Sequence, residues 1–177
     1  PAHPALLVLG GAKFETKLGS VFGNRPRTSE PKIGSYMQDI PDTAQGNWFF
    51  PGVNYRNTGD ISSALGLVHD YVDSSQPIFS IGNSIKGLAL GLYSFAPQAS
   101  GKVNRDFSQV RADGAIYCYD NFLQGQSAGG IGLNKANGII LLTMPSFTSL
   151  MVALQSGSRC DLNTTWALTA NATTFER

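Results

Sequence analysis

From Asn47 onward the apolar and aromatic residues come in short runs, each bounded within a few positions by Gly, Asn, Asp, Pro or Ser. Twenty glycines and nine prolines among 177 residues supply that punctuation. Short runs with turn residues at both ends read as strands. The regular crossover helices that a parallel α/β sheet needs are not found. The expected fold is therefore all-β, an antiparallel sandwich or small closed barrel. Candidate strands cover 47–50, 67–72, 77–81, 88–95, 107–110, 115–122, 138–144, 149–155 and 165–169, with a last short one at 173–175. In 115–119, Ile116 and Cys118 fall on one face of a strand and Tyr117 and Tyr119 on the other. Asp113-Gly114 and Asn137-Gly138 are turn signals ahead of strands. The longest apolar run, 138–154, is interrupted by Pro145 and four hydroxyl residues, and reads as two core strands joined by a Pro-Ser turn. It is shorter than the roughly 20 residues that span a bilayer, so no membrane span is expected. One helix is expected over 60–69, capped by Asp60, with Ile61, Ala64, Leu65 and Val68 on one face and Gly66 weakening it. Segment 125–138, rich in Gly, Ser and Asn, reads as a flexible loop between strands.

The first third is different in kind. Residues 1–60 hold 11 of the 25 charges, and residues 19–47 show no apolar periodicity. Residues 1–46 read as an extended N-terminal arm or linker and residues 47–177 as the β-rich domain. Phe22, Ile33, Tyr36, Met37 and Ile40 are spaced along the arm like anchors. Such a strip can join a sheet edge, which makes residues 1–46 the expected route of self-association or protein partnering.

The net charge of +1 argues against nucleic-acid binding driven by charge, and charged residues are 14% of the chain against a usual figure of about 25%. Cys118 and Cys160, 42 positions apart, fit one disulfide. Beyond the terminal His3 the chain has one histidine, His69, and two Cys plus one His cannot complete a four-ligand zinc site without carboxylates, so no metal is expected. No cofactor is expected either, because Walker-type loops, dinucleotide fingerprints and HExxH are missing. Low charge, the paired cysteines and the sequons at Asn163 and Asn171 point to a secreted, periplasmic or surface-displayed protein. The chain opens on Pro1 with no initiator Met, as a processed product would. The sequons matter only in a eukaryotic secretory route.

The string Leu6-Leu-Val-Leu-Gly-Gly-Ala-Lys-Phe-Glu-Thr-Lys-Leu18 resembles the strand-loop segment of phosphoglycerate kinase. That resemblance implies Lys13 and Lys17 approaching nucleotide phosphates. It covers about 13 of the 177 residues. The later glycine-rich segments of that family are missing from 19–177, so the string is read as a strand and a turn.

Three further groups bear on chemistry. His69, Asp70 and Asp73 form a His–carboxylate cluster that can supply a general base or help bind calcium. The plainer reading is a polar strand end followed by a turn at 73–77. Tyr55, Tyr93, Tyr117 and Tyr119 can line a glycan- or ligand-binding face, or simply reflect the enrichment of aromatics in strands. Arg105-Asp106 and Arg111 with Asp113 suggest surface ion pairs. The expected function is a non-enzymatic secreted or surface β-domain acting as a structural or interaction module, such as a subunit of an extracellular assembly. The alternatives are a small-ligand or glycan-binding barrel and, after it, a hydrolase using His69.

Overall fold

The computed structural model describes residues 38–53, 63–82, 84–161, 165–168 and 170–177. Ten strands form one sheet: β1 (Gly46–Phe49), β2 (Ala64–His69), β3 (Pro77–Ile81), β4 (Gly91–Ser94), β5 (Ile116–Tyr119), β6 (Gly125–Gln126), β7 (Gly132–Leu133), β8 (Gly138–Ser146), β9 (Ser149–Ser156) and β10 (Thr173–Glu176). Their order across the sheet is β5-β8-β9-β10-β1-β2-β3-β4-β7-β6. The all-β reading holds, but the sheet is mixed, because β4 and β7 run parallel where Leu92 meets Leu133. The expected antiparallel sandwich or closed barrel gives way to a single sheet curled into a half-barrel.

The curl follows from where the apolar side chains point. Alternate residues of every long strand, such as Leu65 and Leu67, Phe79 and Ile81, Ile140 and Leu142, and Leu150 and Val152, enter one buried cluster. Tyr119 on β5 lies 5.0 Å from Phe79 on β3, six places away in the sheet. At roughly 4.8 Å per strand a flat sheet would hold them about 29 Å apart. The strands must wrap around these rings. Phe79 is the hub, with Phe95, Phe107 and Phe122 at 5.9, 4.8 and 6.3 Å.

A second, smaller cluster lies on the opposite face of β5 and β8. Cys118, Ile139, Leu141 and Cys160 are buried there, with Trp166 and Leu168 packed against them. Cys118 and Cys160 are disulfide-bonded across a Cα–Cα distance of 5.8 Å. The division of β5 into a cysteine face and a tyrosine face is the one its alternation predicts.

Several local readings change. The stretch expected to be helical is strand from Ala64 to His69, paired with β1 and β3 on either side; residues 60–62 of that reading lie outside the described residues. Its apolar residues suit a helix face and a strand face alike, and the two neighbours decide. Residues 107–110 form not a strand but a 3₁₀ turn, Phe107–Gln109, capped by the Asp106 carboxylate, which accepts the Ser108 N–H at 2.9 Å. Residues 165–168 carry no strand. Segment 125–138 is not one loop, since it contains β6 and β7. The boundary drawn at 46/47 falls inside β1, and residues just before it belong to the body: Ala44 is fully buried and Thr43 and Gln45 offer their carbonyls to Arg177 at 2.8 and 3.3 Å. Residues 1–37, with Lys13, Lys17 and most of the anchor residues, lie outside the described residues.

The two sheet edges differ. The outer edge of β5 is covered by 102–104, with the Cys118 N–H donating to the Lys102 carbonyl at 2.9 Å and the Asn104 N–H donating to the Cys118 carbonyl at 2.8 Å. At the other end β6 pairs with β7 alone among the described residues, and both its residues are exposed.

Candidate functional site

His69 ends β2, and its backbone is clasped by one side chain. The Gln38 amide donates to the His69 carbonyl at 3.0 Å and accepts the His69 N–H at 2.7 Å. The ring reaches neither Asp70 nor Asp73. Its Nε2 lies 2.9 Å from Asp106 Oδ2, a residue 37 positions away. Asp106 Oδ1 accepts the N–H and the hydroxyl of Ser108 at 2.9 and 2.6 Å. Burial pushes the Asp106 carboxyl up, but the hydrogen bonds from His69 and Ser108, with the nearby imidazole, outweigh it and hold its pKa at about 2. Ser108 is bonded to the carboxylate rather than to the imidazole, so the order of contacts is not that of a nucleophile–base–orienter relay. The pair joins the end of β2 to the turn that places Phe107 in the core.

This geometry has a measurable consequence. Asp106 titrates from an ordinary 3.8 down to about 2 on folding. A carboxylate with a depressed folded pKa contributes stability that is complete above its unfolded pKa and is lost as pH falls through the folded one. Unfolding free energy is therefore expected to fall between about pH 4 and pH 2. Asp106→Asn should flatten that part of the curve, as urea titrations at several pH values would show. An unchanged slope would remove Asp106 from the acid response.

Asp70 and Asp73 build the β2–β3 turn, as the plainer reading has it. Asp70 Oδ1 accepts the N–H groups of Val72 and Asp73 at 2.7 and 3.1 Å, and Oδ2 accepts that of Gly129 at 3.1 Å. Burial raises the Asp70 pKa, but bonds from Ser127, Asp73, Val72 and Gly129 lower it further than burial lifts it. Asp73 accepts the N–H and hydroxyl of Ser75 at 2.9 and 2.6 Å. Among the described residues no group of three or more His, Cys, Asp or Glu is placed to hold a metal.

The tyrosines do not line an open face. Tyr93, Tyr117 and Tyr119 are buried within the main cluster; Tyr55 lies outside the described residues. Tyr93 donates to the Ala89 carbonyl at 2.8 Å, and Tyr117 to the Asp113 carboxylate at 3.3 Å. The Tyr119 hydroxyl is fully buried without a hydrogen-bond partner, and burial pushes its pKa well above 10. Curling of the sheet turns these residues inward. Of the sequons, Asn171 sits on an exposed turn before β10 and Asn163 lies outside the described residues. The charge pairs read near Arg105 and Arg111 are not made as expected: Asp106 takes His69, Arg105 donates to the Ala99 carbonyl, and Arg111 donates to the Asp42 carbonyl at 3.3 Å.

Two surface features were not singled out by the sequence reading. The first is an open cleft of about 570 Å³ where 120–124, 135–138 and 157–159 meet, lined by Gln124, Lys135, Asn137, Ser158 and Arg159 among others. The second is the rim formed by β4, β7 and β6. Leu92 and Leu133 face each other across the parallel pair and are half-buried. Two positions before each of them stand Leu90 and Ile131, 58% and 50% exposed. Both rim segments, 87–101 and 121–134, contain no charged residue and no histidine. That run of uncharged positions is the signal that could have marked the rim in the sequence.

Comparison with known protein families, with curated proteins and with solved structures finds no match to this chain. Among the described residues no helix is long and apolar enough to cross a membrane.

Proposed function

We propose that this chain is a non-enzymatic, exported β-domain that serves as an interaction module, self-associating through the rim of β4, β7 and β6. The observation that carries the reading is the pairing of exposed Leu90 and Ile131 with an uncharged sheet edge. Edge strands are ordinarily guarded by charge, by proline, by a covering segment or by being short. Here the β5 edge is covered. The β6 edge is short, but its rim has no charge that would repel a second strand. A second copy of the chain suits such a surface, because two uncharged apolar rims meet without like-charge repulsion and bury the same leucine and isoleucine side chains on both sides. The Cys118–Cys160 disulfide supports an oxidising compartment outside the cytosol. Residues 1–46 are a further route to a partner, as the spacing of Phe22, Ile33, Tyr36, Met37 and Ile40 suggests.

The test is the solution mass. Sedimentation of the whole chain should show a mass rising above the monomer at concentrations on the order of micromolar to millimolar. The double variant Leu90→Ser, Ile131→Ser should stay monomeric with little change in thermal unfolding, since both side chains are exposed. A native chain that remains monomeric throughout, or a double variant that associates equally well, overturns the reading.

A further inference from the structure

Ile131 stands exposed on the rim just before β7, but the groups that hold it there come from another part of the chain. The turn 127–131 that carries it is closed on itself. The Ser127 N–H donates to the Ile131 carbonyl and the Gly130 N–H to the Ser127 carbonyl, each at 2.8 Å, and the Ile131 N–H donates to the Ser127 hydroxyl oxygen at 3.3 Å. Strands β6 and β7 on either side have two residues each. A hairpin with so short a ladder does not fix its own direction.

Three side chains of the β2–β3 turn fix it instead, across 52 to 59 positions of sequence. Asp70 Oδ2 accepts the Gly129 N–H at 3.1 Å, the Gln76 side-chain oxygen accepts the Ala128 N–H at 3.1 Å, and the Tyr71 hydroxyl donates to the Gly129 carbonyl at 3.2 Å. The Ser127 hydroxyl also donates to the Asp70 carboxylate. That hydroxyl oxygen is the one that receives the Ile131 N–H, so a single atom joins the carboxylate to the rim residue. Asp70 and Ser127 are 3% and 2% exposed. Water cannot readily take the place of such bonds, and losing one leaves a buried polar group unsatisfied. The contact between the two turns is also close. A Cβ at Gly129 would lie 2.5 Å from the Tyr71 ring and 3.2 Å from Asp70 Oδ2.

We infer that Asp70 is a positioning residue of the association rim: acting through Ser127 it sets the direction of Ile131, and the β2–β3 turn thereby governs self-association. This inference rests on the reading of the rim given above. Asp70 is suited to the role. Burial disfavours its charge, but the bonds from Ser127, Asp73, Val72 and Gly129 more than offset that, so the group stays an ionised acceptor. Being buried and engaged by four donors, it holds the rim without presenting a charge to a second copy. A rim fixed in advance also loses less conformational freedom on association than a swinging hairpin would.

The experiment is sedimentation of the whole, disulfide-bonded chain beside two variants, each checked for folding by its thermal transition. Ser127→Ala removes the hydroxyl that joins Asp70 to Ile131. Gly129→Ala keeps every bonding side chain and forces the two turns apart. Each should raise the dissociation constant by about tenfold or more, and either one alone carries the test if the other does not fold. Asp73→Asn is the control within the same β2–β3 turn, since its carboxylate takes the N–H and hydroxyl of Ser75, and it should associate like the native chain. A merely structural role for the contact would lower thermal midpoints without moving the dissociation constant of the folded protein. In dilute, monomeric protein the Ile131 amide should exchange faster in Gly129→Ala, although its own acceptor is unchanged. A native chain that stays monomeric overturns the rim reading and this inference with it. If the native chain associates, the rim reading stands, and the inference alone falls on any of three results: both variants match the native chain, Asp73→Asn weakens association as much as they do, or the Ile131 exchange rate is unchanged.

Discussion

Replacing Phe79 with alanine is expected to destabilise the protein by about 3–5 kcal/mol. Phe79 is fully buried on β3. Its ring meets those of Phe107 and Tyr119 nearly edge-on at 4.8 and 5.0 Å and lies within 6.3 Å of Phe95 and Phe122. Those neighbours come from a loop after β4, the 3₁₀ turn, β5 and the chain leaving β5, so no single element can shift to refill the space. The cost therefore includes the cavity as well as the lost transfer energy, and belongs at the upper end for buried aromatics. With total stabilities typically about 5–15 kcal/mol, one substitution removes a large share. Phe147→Ala is the matched control: this ring is 56% exposed at the β8–β9 turn, and its loss should stay within about 0.5 kcal/mol. Urea unfolding of both variants provides the measurement. A Phe79→Ala cost below about 1 kcal/mol would mean that the rings do not pack as a common hub.

The double variant Cys118→Ala, Cys160→Ala is expected to lose about 4 kcal/mol. In the chain-entropy model that is the effect of releasing a loop with a sequence separation of 42. The native side of the equilibrium adds a local effect. The bond pins Cys160, and the segment carrying Trp166 and Leu168, against the outer face of β5 and β8. Hydrogen exchange should accelerate more across 157–168 than across β2 and β3, which the bond does not touch. The native protein under reducing conditions should reproduce the variant's midpoint, with no further loss when reductant is added to the variant itself. Equal midpoints for oxidised and reduced native protein would show that the bond does not contribute to stability.

Strand positions were legible wherever a run alternated strictly or was long and apolar. Pro77–Ile81 matches the expected range; β8 and β9 cover the two strands expected in 138–154, but β8 runs on through Pro145 and Ser146 and the turn falls at 147–148 rather than at the Pro-Ser pair. Residues 64–69 were ambiguous because Ala, Leu and Val spaced by glycine fit both periods; their strand character comes from β1 and β3, which local sequence does not contain. Phe107 was misplaced for a related reason. A phenylalanine and a valine bracketing the short run 107–110 suggest a strand, but Asp106 caps a turn there instead. β6 and β7 have two residues each, too few for any periodicity to register. The disulfide was legible because two cysteines allow one pairing. The partner of His69 was not, since Asp106 reaches it through the fold and the neighbouring Asp70 and Asp73 are more obvious in sequence. Tyr93, Tyr117 and Tyr119 were legible as strand residues, while their direction depends on how far the sheet curls.

β10 lies between β9 and β1, and so joins two blocks of the sheet that are otherwise separate along the ladder: β1 to β4 with β7 and β6 on one side, and β5, β8 and β9 on the other. Each block can zip from its own hairpins soon after it is made. The seam between them needs Thr173–Glu176. During synthesis both blocks must therefore wait, β1 and β9 each presenting an unsatisfied edge, until the chain has been translated through these four residues. At about 5–20 residues per second, β1 is exposed for several seconds before its second neighbour exists, an interval in which a chaperone or another nascent copy can reach it first.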